Sequence, residues 1–223
     1  MNGNNLISKK VAIAGASGLV GHYLLEGLIK DESVSEIHAY CRKDLKIKHP
    51  KIIVHLVDFN NLPTFPIIDE LYLAIGTTKK QAGNQENYRA IDFTVNLNIA
   101  QKAISSGVKS IALVSAIGAD AKSKIFYNRL KGELEDALIK LAPEKLLIVR
   151  PSFLLGNRIV LGQKERFSEK LVENFSKIFK FLFPINLKPI KAKNVADFIL
   201  SELQNTKKNR IVLSSEIQKF EKI

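Results

Sequence analysis

The chain has 223 residues, of which 46% are hydrophobic, and its formal net charge is +12. This length and apolar content suit one globular unit, and no apolar run approaches the roughly 20 residues that a membrane-spanning helix needs. The positive charge is spread over the chain without a dense basic block, so we expect a lysine-rich surface and no specific nucleic-acid partner.

The amino-terminal segment and the single cysteine bear on location and on metal binding. The first ten residues are polar and lack the apolar core of a secretory signal peptide, so we expect a cytoplasmic protein. The one cysteine and the four scattered histidines predict neither an internal disulfide nor a metal site. Cys41 has no histidine at a suitable spacing and is interpreted as a small buried apolar residue.

The predicted elements begin with a short buried strand at Val11 to Ala14, which glycines and an apolar-periodic helix follow. Gly15 and Gly18 would let the backbone approach a pyrophosphate, and Gly21 would let the helix pack closely on the strand. Ser17 would add a hydroxyl to the same phosphate. The spacing differs from the Gly-x-Gly-x-x-Gly of the general dinucleotide fingerprint, so an ordinary strand-to-helix turn is the alternative.

Strands and helices alternate along the rest of the chain. Further strands are predicted at Glu36 to Cys41, Ile52 to Val57, Glu70 to Ile75, Ser110 to Ser115, Lys145 to Arg150 and Arg210 to Leu213. Helices are predicted at Glu86 to Ser105, Ile125 to Leu141, Lys164 to Phe183 and Asn194 to Gln204. Pro63 and Pro66 predict an irregular connection between the third and fourth strands.

This order of elements predicts an α/β fold, a doubly wound parallel sheet of the Rossmann type. We expect one domain over residues 1–223, to which 151–210 contribute a small substrate-side lobe. In the helix over 86–105, one face is expected to pack on the core through Ile91, Val95, Ile99 and Ala103.

The helix over 164–183 carries aromatic and leucine side chains on one face, interleaved with lysines. The apolar residues of that face are Phe167, Leu171, Phe175, Phe179 and Leu182. Three interpretations stay open: packing onto the chain's own domain, which is the commonest case, a surface for a homodimer or another partner, and a helix lying on a membrane surface.

A second group of polar residues falls where a parallel sheet presents the carboxyl ends of its strands. Ser115 ends one strand, and Tyr127 and Lys131 open the next helix four residues apart, so they share one helical face. A lysine ammonium and an oxidised nicotinamide both favour a tyrosine phenolate, while a serine hydroxyl can hold a substrate carbonyl. The set therefore suits proton transfer between a carbonyl and an alcohol, with a surface helix pair as the alternative.

Five segments in order carry a resemblance to a known family. They are Gly-Ala-Ser-Gly-Leu-Val-Gly at 15–21, Gly-Thr-Thr-Lys-Lys-Gln-Ala-Gly at 76–83, Val-Ser-Ala-Ile-Gly-Ala-Asp at 114–120, Tyr-Asn-Arg-Leu-Lys-Gly-Glu-Leu-Glu at 127–135 and Arg-Pro-Ser-Phe-Leu-Leu-Gly at 150–156. The chain resembles the atypical branch of the short-chain dehydrogenase/reductase superfamily. Within it the chain is most similar to the group that includes the Tat-interacting-protein-like oxidoreductases.

This resemblance implies a nucleotide-binding sheet with Tyr127 and Lys131 as the catalytic pair and Ser115 as the residue that polarises the substrate. The close group usually has two consecutive serines where this chain has Ser115 and Ala116, so only one hydroxyl is available here to polarise the substrate. The resemblance implies a reaction type and leaves the substrate open.

The end of the second strand predicts the choice of cofactor. Arg42 and Lys43 lie about 20 residues past the last glycine, where an NAD site carries an acid for the ribose hydroxyls. Asp44 comes two residues late, so the pattern predicts that NADP(H) is preferred over NAD(H), with an ordinary exposed charge as the alternative for Arg42. Asp58 is expected near the adenine. The full set expected to contact the cofactor is Gly15, Ser17, Gly18, Leu19, Val20, Gly21, Arg42, Lys43, Asp58, Ala74, Ile75, Gly76, Thr77, Tyr127, Lys131 and Pro151.

Together these features predict an NADP(H)-dependent oxidoreductase of a small carbonyl or alcohol substrate. A protein that binds NADP(H) to control a partner surface without turnover would need the same glycine loop but not Tyr127. A sugar-nucleotide epimerase would use the same three catalytic residues but usually needs a larger carboxyl-terminal lobe.

Overall fold

The computed structural model describes residues 8–59, 61–156 and 185–220. Nine strands lie in these ranges: β1 (Lys9–Ala14), β2 (Val34–Cys41), β3 (Ile52–Leu56), β4 (Glu70–Leu73), β5 (Ser110–Val114), β6 (Lys145–Arg150), β7 (Leu154–Leu155), β8 (Ile190–Lys191) and β9 (Asn209–Leu213). Seven of them form one parallel sheet in the order β3-β2-β1-β4-β5-β6-β9, and β7 pairs with β8. The order reverses beside β1, as in doubly wound folds, which confirms the predicted fold class.

Helices cover both faces of this sheet. The α-helices are α1 (Leu19–Lys30), α2 (Lys79–Ala82), α3 (Gln85–Arg89), α4 (Val95–Ser105), α5 (Phe126–Lys140), α6 (Ala192–Asn205) and α7 (Ser214–Phe220), with a 3₁₀ turn at Ile185–Leu187. A π-turn at Ala90–Thr94 joins α3 directly to α4. In none of these segments is there a helix both long and apolar enough to cross a membrane.

The core has two layers, one on each face of the sheet. One layer packs α1 and α6 against the sheet, and the other packs α4 and α5 against the opposite face. Alternate residues of β1 feed the two layers, with Val11 and Ile13 on one side and Ala12 and Ala14 on the other. A strand buried on both faces has no polar positions to spare, which is why the stretch 11–14 is apolar throughout.

The predicted connection between β3 and β4 is indeed irregular over its described residues, because Pro63 and Pro66 disfavour a helix there. The helix expected over 86–105 is observed but is interrupted by the π-turn. A π-turn holds more residues than an α-turn and shifts which side chains face inward. As a result Ile91 and Val95 are only half-buried, and the polar Asp92 and Asn96 occupy the buried face.

Beyond β6 the prediction was less complete. The predicted aromatic helix over 164–183 lies outside the described residues. Neither the short β7–β8 pair nor α7 was predicted, since a two-residue strand and a seven-residue helix leave too little periodicity to recognise.

Candidate functional site

The loop between β1 and α1 is a tight turn closed against the end of β4. Gly15 has φ +96°, and a Cβ placed on it would lie 2.5 Å from the backbone carbonyl carbon of Ala74. The amide of Gly18 donates to the carbonyl oxygen of Gly15 at 2.8 Å. A Cβ on Gly21 would overlap that same oxygen. The first and third glycines are therefore required by the packing of the loop itself.

The amino-terminal end of α1 opens beside this turn. Leu19 and Val20 are buried, whereas Ser17 is exposed. Gly18 at the N-cap supplies no side-chain cap, and the amino-terminal turn of a helix is a common binding place for an anion.

At the end of β2 the chain places one buried thiol and then charged residues. Cys41 is buried, and this burial, together with Asp44, raises the pKa of its thiol to about 11. Arg42 and Lys43 are both exposed. Asp44, the nearest acid, lies 2.6 Å from the Lys48 ammonium, and that ion pair lowers the pKa of its carboxyl.

The segment that follows β4 is held by polar side chains from α3, the π-turn and α4. The Asp92 Oδ2 atom accepts a hydrogen bond from the amide of Thr77 at 2.7 Å. The Asn96 amide donates to the carbonyl oxygens of Ile75 and Asp92 at 3.3 and 3.0 Å. The Tyr88 hydroxyl donates to the carbonyl oxygen of Thr77 at 3.1 Å. The loop is thus fixed at both Ile75 and Thr77.

Tyr127 and Lys131 lie on one face of α5, as predicted, but in contrasting surroundings. The Tyr127 side chain is exposed and stands edge-on to the ring of Tyr88. Lys131 is buried, and its Nζ atom lies 2.8 Å from the Asp92 Oδ1 atom. Burial disfavours the Lys131 ammonium, but Asp92, Tyr127 and Glu135 more than offset it, so the pKa of this lysine is raised.

Ser115 belongs to a separate charged network one turn further along α5. Its hydroxyl donates to the Glu135 Oε1 atom, and Glu135 is 2% exposed. Arg150, at the end of β6, binds the same carboxylate through its Nε atom at 3.1 Å and its Nη2 atom at 2.5 Å. This hydrogen bonding raises the pKa of the Arg150 guanidinium. Because the arginine holds Glu135 independently, that carboxylate stays paired if Ser115 turns away.

Of the residues predicted after β4, Gly76 lies next to Lys131 of the predicted pair on α5. A Cβ on Gly76 would lie 3.5 Å from the Asp92 Oδ1 atom and 3.8 Å from the Lys131 Nζ atom. Pro151 is buried after β6, and its carbonyl oxygen accepts from the amide of Ile117 at 2.9 Å. Asp58 is exposed just after β3, at the carboxyl end of that strand.

Sequence reasoning missed five residues of this site: Tyr88, Asp92, Asn96, Glu135 and Arg150. Glu135 follows Lys131 by four residues and so shares its helical face, which was a usable signal. Asp92 gave none, because an acid in an apolar helix is usually solvated. Among the described residues, no three His, Cys, Asp or Glu side chains are grouped closely enough to hold a metal ion.

The parallel sheet, whose strand order reverses beside β1, and the closed glycine turn after β1 define a doubly wound fold of the Rossmann type. The chain matches the model of the HIM1 family over residues 34–186 and belongs to that family.

Two relatives illustrate the similarity over different lengths of the chain. Protein FMP52, mitochondrial, of Meyerozyma guilliermondii is 30% identical over 224 residues, covering 96% of this chain and 95% of that protein. Protein FMP52-1, mitochondrial, of Scheffersomyces stipitis is 32% identical over 154 residues, covering 66% of this chain and 67% of its own length.

Solved structures share the fold at much lower identity. ADP-L-glycero-D-manno-heptose-6-epimerase of Helicobacter pylori has a TM-score of 0.69 at 14% identity, and the match covers 97% of this chain and 82% of that one. The Bordetella bronchiseptica enzyme WbmG in complex with NAD has a TM-score of 0.69 at 13% identity, with coverage of 98% and 77%. At sequence identities this low, the similarity shows a shared fold and nothing about function.

The relatives also correct the expected location. Their names place them in the mitochondrion, so the expectation of a cytoplasmic protein is wrong. That expectation rested on the missing apolar core of a secretory signal, and mitochondrial targeting segments do not use such a core.

Proposed function

We propose that this protein is an NADP(H)-dependent oxidoreductase of the atypical short-chain dehydrogenase/reductase type, acting on a small carbonyl or alcohol substrate. The observation that carries the proposal is the placement of Lys131 beside the loop after β4, on the same helical face as the exposed Tyr127. The ordered motifs that resemble the Tat-interacting-protein-like oxidoreductases support it.

The chain's residues fit a dinucleotide. Gly15 and Gly18 keep side chains away from the turn beside the uncapped end of α1, so the backbone offers N–H groups to a pyrophosphate. Ser17, Leu19, Val20 and Gly21 complete this loop. Asp58 would lie toward the adenine, and the backbone from Ala74 through Ile75 and Gly76 to Thr77, with Pro151, would line the nicotinamide ribose.

Preference for NADP(H) rests on the end of β2. Arg42 and Lys43 are exposed there, and a guanidinium suits a 2′-phosphate through paired hydrogen bonds. The strand itself ends in the buried Cys41 where an acid would serve the ribose hydroxyls, and Asp44 is paired with Lys48. The structural neighbour WbmG, by contrast, was solved with NAD.

The proton chemistry falls to α5. Tyr127 would donate its proton to the substrate oxygen during reduction and take it back during oxidation. Lys131, as an ammonium, favours the phenolate and would also orient the nicotinamide ribose. When bound, the cofactor supplies or accepts the hydride at the carbonyl carbon.

Ser115 would hold the substrate oxygen. In this structure the Ser115 hydroxyl donates its hydrogen bond to Glu135, so its oxygen can accept a hydrogen bond from a substrate hydroxyl. Because Arg150 also binds Glu135, the serine can rotate its O–H toward a carbonyl without leaving the buried carboxylate unpaired.

The carboxyl-terminal region completes the proposal. We infer one domain over the whole chain, with residues 151–210 contributing a small lobe on the substrate side. A nucleotide-sugar epimerase is the second candidate, because the Helicobacter pylori neighbour with this fold is an epimerase. The match covers 82% of that neighbour, and such an epimerase usually needs a larger carboxyl-terminal lobe than the one proposed here.

Replacing Tyr127 tests the proposal once a carbonyl panel, followed at the NADPH absorbance, has identified a substrate. Tyr127→Phe removes one hydroxyl and keeps the ring, so kcat should fall by roughly 10²- to 10⁴-fold while NADPH affinity stays unchanged. Tyr23→Phe on α1, at a tyrosine to which no role in binding or proton transfer is assigned, is the matched control and should leave kcat unchanged.

Equal turnover by Tyr127→Phe and by the wild type would reject Tyr127 as the proton donor. If the panel yields no substrate and NADPH instead changes the affinity for a protein partner, the chain is a ligand-controlled binding protein. Epimerisation of a nucleotide sugar without net change in NADH or NADPH would favour the second candidate.

A further inference from the structure

The Asp92–Lys131 ion pair is the most deeply buried charge pair in the described part of the chain. Its lysine and aspartate side chains are 5% and 1% exposed, and the charged atoms lie 2.8 Å apart. A lone buried charge loses its hydration without compensation and tends to neutralise. A buried lysine in an active site therefore needs a partner if it is to stay an ammonium.

Both oxygens of Asp92 are used in the site. One contacts the Lys131 ammonium, and the other accepts the amide of Thr77 in the loop after β4. Asn96, one turn further on, bonds the backbone of both Asp92 and Ile75. The carboxylate thus joins the lysine of α5 to the backbone that would line the nicotinamide ribose.

We propose that Asp92 is a positioning residue for the reaction, the counter-ion that keeps Lys131 charged and ties it to the loop after β4. This inference rests on the proposed function for its consequence in catalysis. The ion pair itself can be tested without substrate or cofactor.

The charges around Lys131 show why Asp92 is decisive. Tyr127 and Glu135 on α5 also act on the lysine, but Glu135 is already neutralised by Arg150. Tyr127 is uncharged except as a phenolate. Burial is the largest influence on the Lys131 pKa and lowers it, and Asp92 is the largest influence that opposes burial.

The substitution Asp92→Asn separates charge from shape. An asparagine oxygen can still accept the Thr77 amide, while the negative charge is gone. The Lys131 pKa should then fall, because the charge that most favours its ammonium is gone while burial still disfavours it. The ammonium of the variant would be lost as the pH rises through the lowered value, whereas the wild type keeps it.

The direct measurement is NMR titration of protein labelled with ¹³C at lysine Cε, with the Lys131 resonance assigned through its absence in Lys131→Arg. Glu133→Gln is the matched control, because this carboxylate lies two residues away on α5 and pairs with Arg89 at 2.5 Å. It should leave the Lys131 titration unchanged. Asp92→Glu should restore part of the wild-type behaviour.

Function supplies the second measurement. The ratio of kcat in Asp92→Asn to that in the wild type should fall about tenfold for each pH unit above the lowered lysine pKa. A substitution that only loosened the structure would lower this ratio equally at every pH. A fall in the kcat ratio at high pH is therefore specific to the loss of the counter-ion.

A double-mutant cycle covers the case in which Asp92→Asn folds poorly. Lys131→Met alone leaves a buried carboxylate unpaired, so Asp92→Asn added to it should recover at least about tenfold in the folding equilibrium constant. An unchanged Lys131 titration in Asp92→Asn, or additive effects in the cycle, would overturn the proposal. A shifted titration in a protein that neither binds NADPH nor turns over substrate would uphold the ion pair and reject the proposed function instead.

Discussion

The two halves of the candidate site are built by different means. The half at β1 and β2 combines backbone, in the closed glycine turn and the start of α1, with two exposed cations at the end of β2. The half at β5 and α5 is made by buried charge, with Lys131 on Asp92 and Ser115 on Glu135. The first half depends on glycines that lack side chains and on exposed cations, and the second on buried side chains that must be paired. Substitutions should therefore fail in different ways in the two halves.

The largest difference between the two halves is expected when Gly18 is replaced, because cofactor binding should be lost without a loss of stability. A Cβ there would lie 3.1 Å from the carbonyl oxygen of Gly15, which is tight but much less close than the contacts that a Cβ would make at Gly15 or Gly21. Gly18→Val should leave the melting temperature nearly unchanged yet weaken NADPH binding by roughly 100-fold or more, because its branches cover the turn. Binding measured by NADPH fluorescence at wild-type affinity would show that this turn holds no phosphate.

The second half should respond in stability. Glu135→Gln leaves the Arg150 guanidinium without its carboxylate, and we expect a loss of about 2 kcal/mol in the free energy of unfolding. Glu133→Gln, which breaks only a surface pair with Arg89, should cost less than about 1 kcal/mol. Urea unfolding of both variants measures the difference. Equal losses would mean that the buried network adds no more stability than the surface pair.

The smallest effect is expected at the cofactor's far end. Arg42→Ala should weaken NADPH binding by roughly tenfold and leave NADH binding unchanged, since one charge-assisted contact to the 2′-phosphate is removed. Lys102→Ala, at an exposed lysine on α4, is the control. The wild type should gain more melting temperature from NADPH than from NADH, and equal gains would reject the assignment of Arg42.

The same contrast explains what could be predicted from the sequence. Gly15 and Gly21 could be recognised by their spacing between an apolar strand and an apolar helix. The strands could be recognised because both of their faces are buried and their sequences are therefore apolar. Tyr127 and Lys131 were found because a four-residue spacing places them on one helical face. Local pattern was enough for all of these.

Asp92 and Glu135 depend on long-range contacts instead. Asp92 reaches Lys131 on a different helix and Glu135 reaches Arg150 on a strand. Helical spacing could place Glu135 on the Lys131 face, but it could not identify the partner of either carboxylate. Helical spacing predicted a buried face of Ile91, Val95, Ile99 and Ala103. Ile99 and Ala103 are buried and Val95 packs against the core, whereas near Ile91 the π-turn alters the winding of the chain and Asp92 takes the buried position. The apolar pattern could not reveal this change in winding.

The π-turn at Ala90–Thr94 sets the direction in which the side chains of the following helix point, and the site depends on that direction. One residue more or less in an α-helical segment rotates everything beyond it by about 100°. The number of residues between Tyr88 and Asn96, and not only their identity, therefore decides whether Asp92 meets Lys131. In this stretch a single deletion would disconnect the lysine from its partner while leaving every functional side chain present in the sequence.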